Sequence, residues 1–166
     1  MTDFFLPSIS VVVDGIEKAY SNDPYDSGGE TKWGVARNYH PEISPAAWAA
    51  FSRDDALKLY RAQYWDSNRC GEMPWAWALC VFDGEVNQPS IITLAQDALG
   101  VRKDGKIGAG TLAAMANAKP EHLARFMALR AKAYVSKAKF PYDGDGWFTR
   151  LFIITQAAAV PPASAA

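Results

Sequence analysis

The sequence predicts a mainly α-helical protein with one small loop and hairpin region near its N-terminus. Three observations carry that expectation. Apolar residues recur at helical spacing through most of the 166-residue chain. Turn-forming residues crowd a single stretch, Ser21–Glu30. Elsewhere, glycine and proline separate segments of ordinary helix length. Hydrophobic residues make up 49% of the chain, enough to bury a core, and the length suits one domain or two intimate lobes.

Taken in order, Ile9, Val12, Val13 and Ile16 fall on one helix face, with Pro7 and Ser8 opening the helix and Ser8 as its N-cap. Glu17 then lies at the helix end, beside the apolar face, where partial desolvation favours the protonated carboxyl. Asn22, Asp23, Pro24, Asp26, Ser27, Gly28 and Gly29 predict turns, with short strands flanking them. Pro45–Phe51 and Ser52–Trp65 read as helical. Ser52 with Asp55 three residues on forms a variant capping box. Pro74–Asn87 is apolar almost all round and predicts a buried helix, with Asp83 and Asn87 four apart on one face. Ile91–Leu99 continues helically and stops at Gly100. Asp104–Gly108 is a turn, after which Thr111 caps or opens a helix to about Asn117. Pro120–Phe140 predicts a long helix carrying Leu123, Phe126, Met127, Arg130 and Tyr134. Gly144–Gly146 breaks it, and Trp147–Ala159 forms the last helix. The tail Val160–Ala166 is expected to fray.

Charge is uneven. Up to Val101 the chain has 7 basic and 14 acidic side chains, and from Arg102 onward 10 basic and 4 acidic. Two differently solvated surfaces would give this pattern. So would a basic face, including Arg125, Arg130, Lys132, Lys137 and Lys139, that approaches an anionic polymer. Cys70 and Cys80 sit among apolar residues and read as buried free thiols. No stretch reaches the roughly 18 apolar residues of a membrane span, and no signal peptide is visible. The expectation is a monomer made and held in a cytoplasm.

Several chemistries find no support. His40 and His122 belong to no metal-binding spacing, and no phosphate loop or dinucleotide fingerprint occurs. No metal or organic cofactor is implied. Asp143–Gly146 (DGDG) reads as a turn. A nucleophile built from Cys70 or Cys80 with His122 lacks activating local context. Carboxylates remain. Glycoside hydrolysis needs one carboxylic acid to protonate the leaving oxygen and a second carboxylate to activate water or attack the anomeric carbon. Glu17 and Asp26 across a tight loop fit that need, with Thr31 as a hydrogen-bonding partner for the water. On spacing alone, solvated loop acids and caps explain these residues as well. Tyr20, Tyr25 and Trp33 suit sugar faces, or equally a core or lobe interface. Trp75, Trp77 and Phe82 read as core. Asp83 and Asn87 read as helix-fixing polar groups, although Asn87 could reach a cleft.

The stretch EKAYSNDPYDSGGETKWGV, Glu17–Val35, resembles the N-terminal motif of glycoside hydrolase family 108, the phage and bacterial N-acetylmuramidases. That family's pattern is close to EGGYxxDPxDxGGxTxxGI. Glu17, Tyr20, Asp23, Pro24, Asp26, Gly28, Gly29, Thr31, Gly34 and Val35 carry the match. LYRAQYW (Leu59–Trp65) and LCVFDGEVN (Leu79–Asn87) look like later family segments. Ala95–Thr111 is similar to the associated peptidoglycan-binding type 3 region, and GWFTR (Gly146–Arg150) resembles its closing motif. Lys18 and Ala19 replace the usual two glycines, Ser27 stands where proline is common, and Gln88-Pro89 replaces a usual glycine.

The resemblance implies a lysozyme-like fold of two lobes with a cleft between them. It divides the chain into a catalytic region (1–92), a helical peptidoglycan-binding-like region packed in the same unit (93–160) and a flexible tail (161–166). It implies hydrolysis of the β-1,4 bond between N-acetylmuramic acid and N-acetylglucosamine in peptidoglycan. Glu17 is the general acid by this resemblance, and Asp26 and Thr31 position or activate water. Asp23 rivals Asp26 as the second carboxylate. Tyr20, Asp23, Trp33 and Asn87 are the candidate substrate contacts. The implied setting is phage lysis, with the enzyme in the host cytoplasm until a holin opens the way to the wall. Nucleic acid and stable membrane insertion are not implied. Two alternatives stand: a lytic transglycosylase forming anhydro-muramic ends, and a non-catalytic wall-binding module.

Overall fold

The computed structural model describes residues 3–15, 20–21 and 28–163. The chain opens with α1 (Phe5–Ile9), which runs on as a π-helical turn over Ser10–Asp14. The Asp3 carboxylate accepts the Phe5 N–H at 3.0 Å, so the helix starts ahead of Pro7. Pro7 falls in the first turn, where a missing N–H breaks no helical bond. Ser8 is therefore not the expected N-cap. It lies buried inside the helix, with its own N–H on the Phe4 carbonyl. Ile9, Val12 and Val13 face the core, as their spacing predicts, and Phe5 joins them. Ile16 and Glu17 lie outside the described residues.

Three two-residue strands follow, β1 (Tyr20–Ser21), β2 (Thr31–Lys32) and β3 (Val35–Ala36), antiparallel in that order. Tyr20 lies opposite Lys32 and Ser21 opposite Thr31; Thr31 in turn lies opposite Ala36, and Lys32 opposite Val35. The β2–β3 turn is Trp33-Gly34, with φ of 53° and 77°. Two positive φ values are what a two-residue hairpin turn of this hand requires. Gly34 adopts one freely, whereas a bulky tryptophan does so under strain. The Tyr60 hydroxyl donates to the Trp33 carbonyl at 3.1 Å and pins it.

A sheet this short is not stable by its ladder alone. Its brace is α2 (Pro45–Ala49), capped by the Ser44 hydroxyl, which accepts the Ala47 N–H. Buried Trp48 donates its indole N–H to Glu30 at 2.7 Å, and Lys32 donates to the Trp48 carbonyl at 2.7 Å. The Arg37 guanidinium lies over the Trp48 ring at 5.3 Å. Next, α3 (Arg53–Tyr60) carries the expected capping box, with Ser52 and Asp55 exchanging hydrogen bonds, and runs on as a π-helical segment over Arg61–Asp66.

The larger helical part is α4 (Trp75–Asn87), α5 (Ile91–Leu99), α6 (Ala109–Ala116), α7 (Pro120–Val135) and α8 (Phe140–Ala158). Trp77, Leu79, Cys80, Val81, Phe82 and Asp83 are all buried, so α4 is the central helix its composition predicts. The Asp104–Gly108 turn forms around Gln96, whose amide donates to Asp104 and Lys106 and accepts from the Gly105 N–H.

Four expectations are corrected here. Gly108, not Thr111, is the N-cap residue of α6; the buried Thr111 hydroxyl instead accepts from the Gln96 amide across the turn. The long helix ends at Val135, and α8 begins at Phe140 with Pro141 in its first turn. A proline cannot sit inside a continuous helix without breaking it, so the break precedes Pro141 and not Gly144. Asp143–Gly146 is accordingly helix and not turn. A Cβ on Gly144 would lie 2.8 Å from the Phe140 ring, so the glycine is there for packing. Lastly, Arg130 does not belong to a solvated basic face. It is fully buried and donates to the Asp83 carboxylate at 2.7 Å, while Arg150 reaches the other oxygen of Asp83.

Asp83→Asn would leave two buried guanidinium groups without their shared counter-charge. Urea unfolding is expected to show a loss of about 3–5 kcal/mol.

Candidate active site

The sheet places the described site residues. Ser21, Thr31 and Ala36 are opposite one another across the three strands, so they share a face. Lys32 and buried Val35 occupy the other face, which Trp48 covers. Tyr20 pairs with Lys32, so it leaves the sheet on the face opposite Thr31, and it is 56% exposed. Thr31 is partly buried, and its hydroxyl donates to the Gly29 carbonyl at 3.4 Å. Trp33 holds the hairpin tip, with its ring partly buried against the core. Asn87 ends α4 on the surface and donates to the Asp83 carbonyl at 2.7 Å, one turn back in its own helix. Tyr20, Thr31 and Trp33 thus all belong to the sheet, with Tyr20 and Thr31 on opposite faces, while Asn87 belongs to the helical part. Glu17, Asp23 and Asp26, with Tyr25, lie outside the described residues.

Cys70 and Cys80 are free and buried. Burial raises the pKa of both thiols, that of Cys80 to about 12. Neither ionises near neutrality, so neither is a ready nucleophile. Both histidines have structural partners. His40 Nδ1 lies 3.0 Å from Glu42, and His122 Nδ1 accepts the Lys119 N–H at 3.0 Å at the start of α7. Among the described residues no three His, Cys, Asp or Glu side chains cluster as a metal site would. Two hollows of about 310 and 500 Å³ lie along α7 and α8, but alanine, methionine, leucine and phenylalanine dominate their walls. They hold no carboxylate and offer no acid–base chemistry.

Sequence reasoning missed two residues that hold this region and one carboxylate of the helical part. Trp48 and Tyr60 fix the sheet, and only their contacts reveal it. Glu85 is a half-buried carboxylate on α4 that accepts from Asn68 at 3.4 Å. Burial raises its pKa, opposed by that bond and by the Ile92 N–H.

Comparison with known proteins bears on the family and the fold. Residues 11–88 match the family model described as Glycosyl hydrolase 108, a span of a little under half the chain. The match supports glycoside hydrolase chemistry. No curated protein matches the sequence. Among solved structures, one described as SagA of Brucella abortus superimposes with a TM-score of 0.81 at 24% identity, covering 98% of this chain and 98% of that one. That likeness establishes the fold: mainly helical, lysozyme-like, with the three-stranded antiparallel sheet near the N-terminus.

Glu85 also sets a pH dependence. Its folded pKa is raised above the ordinary value of 4.5, so between those two values the folded state binds more protons than the unfolded one. Stability attributable to Glu85 therefore falls as pH rises through that window. Glu85→Gln is expected to remove this slope. Urea midpoints at about pH 4 and about pH 7 should draw closer together, with the gain at the higher pH.

Proposed function

We propose that this protein is an N-acetylmuramidase that hydrolyses the β-1,4 bond between N-acetylmuramic acid and N-acetylglucosamine in peptidoglycan. The observation that carries the reading is the family match over residues 11–88, which encloses the whole Glu17–Val35 stretch. Glu17 gives its proton to the leaving glycosidic oxygen. Asp26 and Thr31 hold and activate the water that replaces it at the anomeric carbon, with Asp23 the rival for the carboxylate role. The Thr31 hydroxyl, on the sheet face not covered by Trp48, supports its part in this scheme. Tyr20, Asp23, Trp33 and Asn87 supply contacts to the sugar chain.

Residues 93–160 act in this reading as a peptidoglycan-binding-like part of the same unit. Their surplus of basic side chains suits an anionic wall polymer. The biological setting we infer is phage-directed lysis. The enzyme accumulates in the host cytoplasm and meets its substrate in the periplasm once a holin has opened the inner membrane. No helix among the described residues is long and apolar enough to cross a membrane itself.

Digestion of purified peptidoglycan tests the assignment. Wild type is expected to release new reducing ends, and Glu17→Gln and Asp26→Asn to lose at least about a hundredfold in rate. Mass analysis of the fragments separates the alternatives. Anhydro-muramic ends with an active Asp26→Asn would mark a transglycosylase, and absence of any cleavage by wild type would mark a binding module.

A further inference from the structure

We propose that Asn38 is a positioning residue for Thr31, an inference that rests on the muramidase reading above. The strand pairing does not end at Thr31 and Ala36. Arg37 N–H donates to the Glu30 carbonyl at 2.8 Å, and Asn38 N–H to the Gly28 carbonyl at 3.0 Å. The Asn38 side chain then lies flat across Gly29. A Cβ on Gly29 would stand 2.9 Å from Asn38 Nδ2, 3.1 Å from its Cγ and 3.2 Å from its Oδ1. With φ of +69° as well, position 29 admits only glycine beneath that amide. Main chain and side chain of Asn38 therefore bracket the segment Gly28–Glu30 from one side.

That segment carries the carbonyl that accepts a long, 3.4 Å hydrogen bond from the Thr31 hydroxyl. A threonine hydroxyl has one donor and two acceptor lone pairs, and the donor decides where the lone pairs point. With the proton directed to Gly29, the lone pairs face away from the segment and can accept a hydrogen from the attacking water. A displaced Gly29 carbonyl would release the Thr31 hydroxyl to rotate. Asn38 thus acts through Gly29 on Thr31. It is exposed, so its truncation removes no core packing.

The test measures reducing-end release by wild type, Glu17→Gln, Thr31→Ala, Asn38→Ala and the double variant Thr31→Ala/Asn38→Ala, with thermal melting of each. Asn38→Ala is expected to lower kcat about tenfold with little change in KM or in melting temperature. The double variant is expected to be no slower than Thr31→Ala alone. An Asn38→Ala enzyme with wild-type kcat, an additive loss in the double variant, a change confined to KM, or an inert Thr31→Ala substitution would each overturn the positioning role. None of these decides whether the enzyme is a muramidase, a reading that falls separately if wild type releases no ends or Glu17→Gln matches it; an inert Thr31→Ala would remove only the role given there to Thr31.

Discussion

One carboxylate and two guanidinium groups meet in the interior, and the helical part depends on how they meet. Asp83 is fully buried on α4, Arg130 fully buried on α7, and Arg150 nearly so on α8. Arg130 also donates to the Gln88 side chain at 2.7 Å and to the Cys80 carbonyl at 3.1 Å, and Gln88 donates back to the Arg130 carbonyl. Taking such charges out of water is costly, and their mutual attraction roughly offsets that cost. Their value lies in direction. A helix that slid by one turn or rotated by one residue would strand a buried charge, so three helices share a single register.

The small sheet is tied to this frame by a short run of aromatic side chains. Phe82, beside Asp83 on α4, meets Tyr60 edge-on at 6.1 Å. Tyr60 in turn holds the Trp33 carbonyl. Phe5 and Trp65 pack against the same Phe82 ring, at 6.2 and 5.5 Å. Thr31 thus stands two residues from a hairpin tip that is bonded directly to the core. Preorganisation of a site on so slight a sheet comes from this connection and from the Trp48 brace, since two-residue strands supply little rigidity themselves.

What could be read in advance was whatever one segment decides alone. The buried character of α4 and the capping box of Ser52 and Asp55 are local, and so is the turn at Asp104–Gly108. The errors came where distant partners decide. Arg130 looks like any basic residue on an amphipathic helix until Asp83, 47 positions away, is placed against it. Gly144 looks like a helix breaker until Phe140 fills the space its side chain would take. Thr111 resembles a cap because nothing local discloses that Gln96 claims its hydroxyl. Near the candidate site, the short strands flanking the turn-rich stretch were legible from its turn residues. The braces Trp48, Tyr60 and Asn38 were not, because each works through a neighbour that sequence order does not supply.

The two buried thiols have a consequence for how this molecule can be watched. Cys80 lies in the middle of α4, and Cys70 in the 3₁₀ turn (Cys70–Glu72) that leads into it. Both are shut from solvent and held protonated. A water-borne alkylating reagent reaches neither in the closed structure, so every labelling event records an opening. Cys80 sits within one turn of Asp83 and bonds Arg130 through its carbonyl, so its labelling clocks the parting of α4 from α7. Cys70 reports instead on the junction between the Arg61–Asp66 segment and α4. The chain thus carries two internal timers, one for each half of its own coming apart.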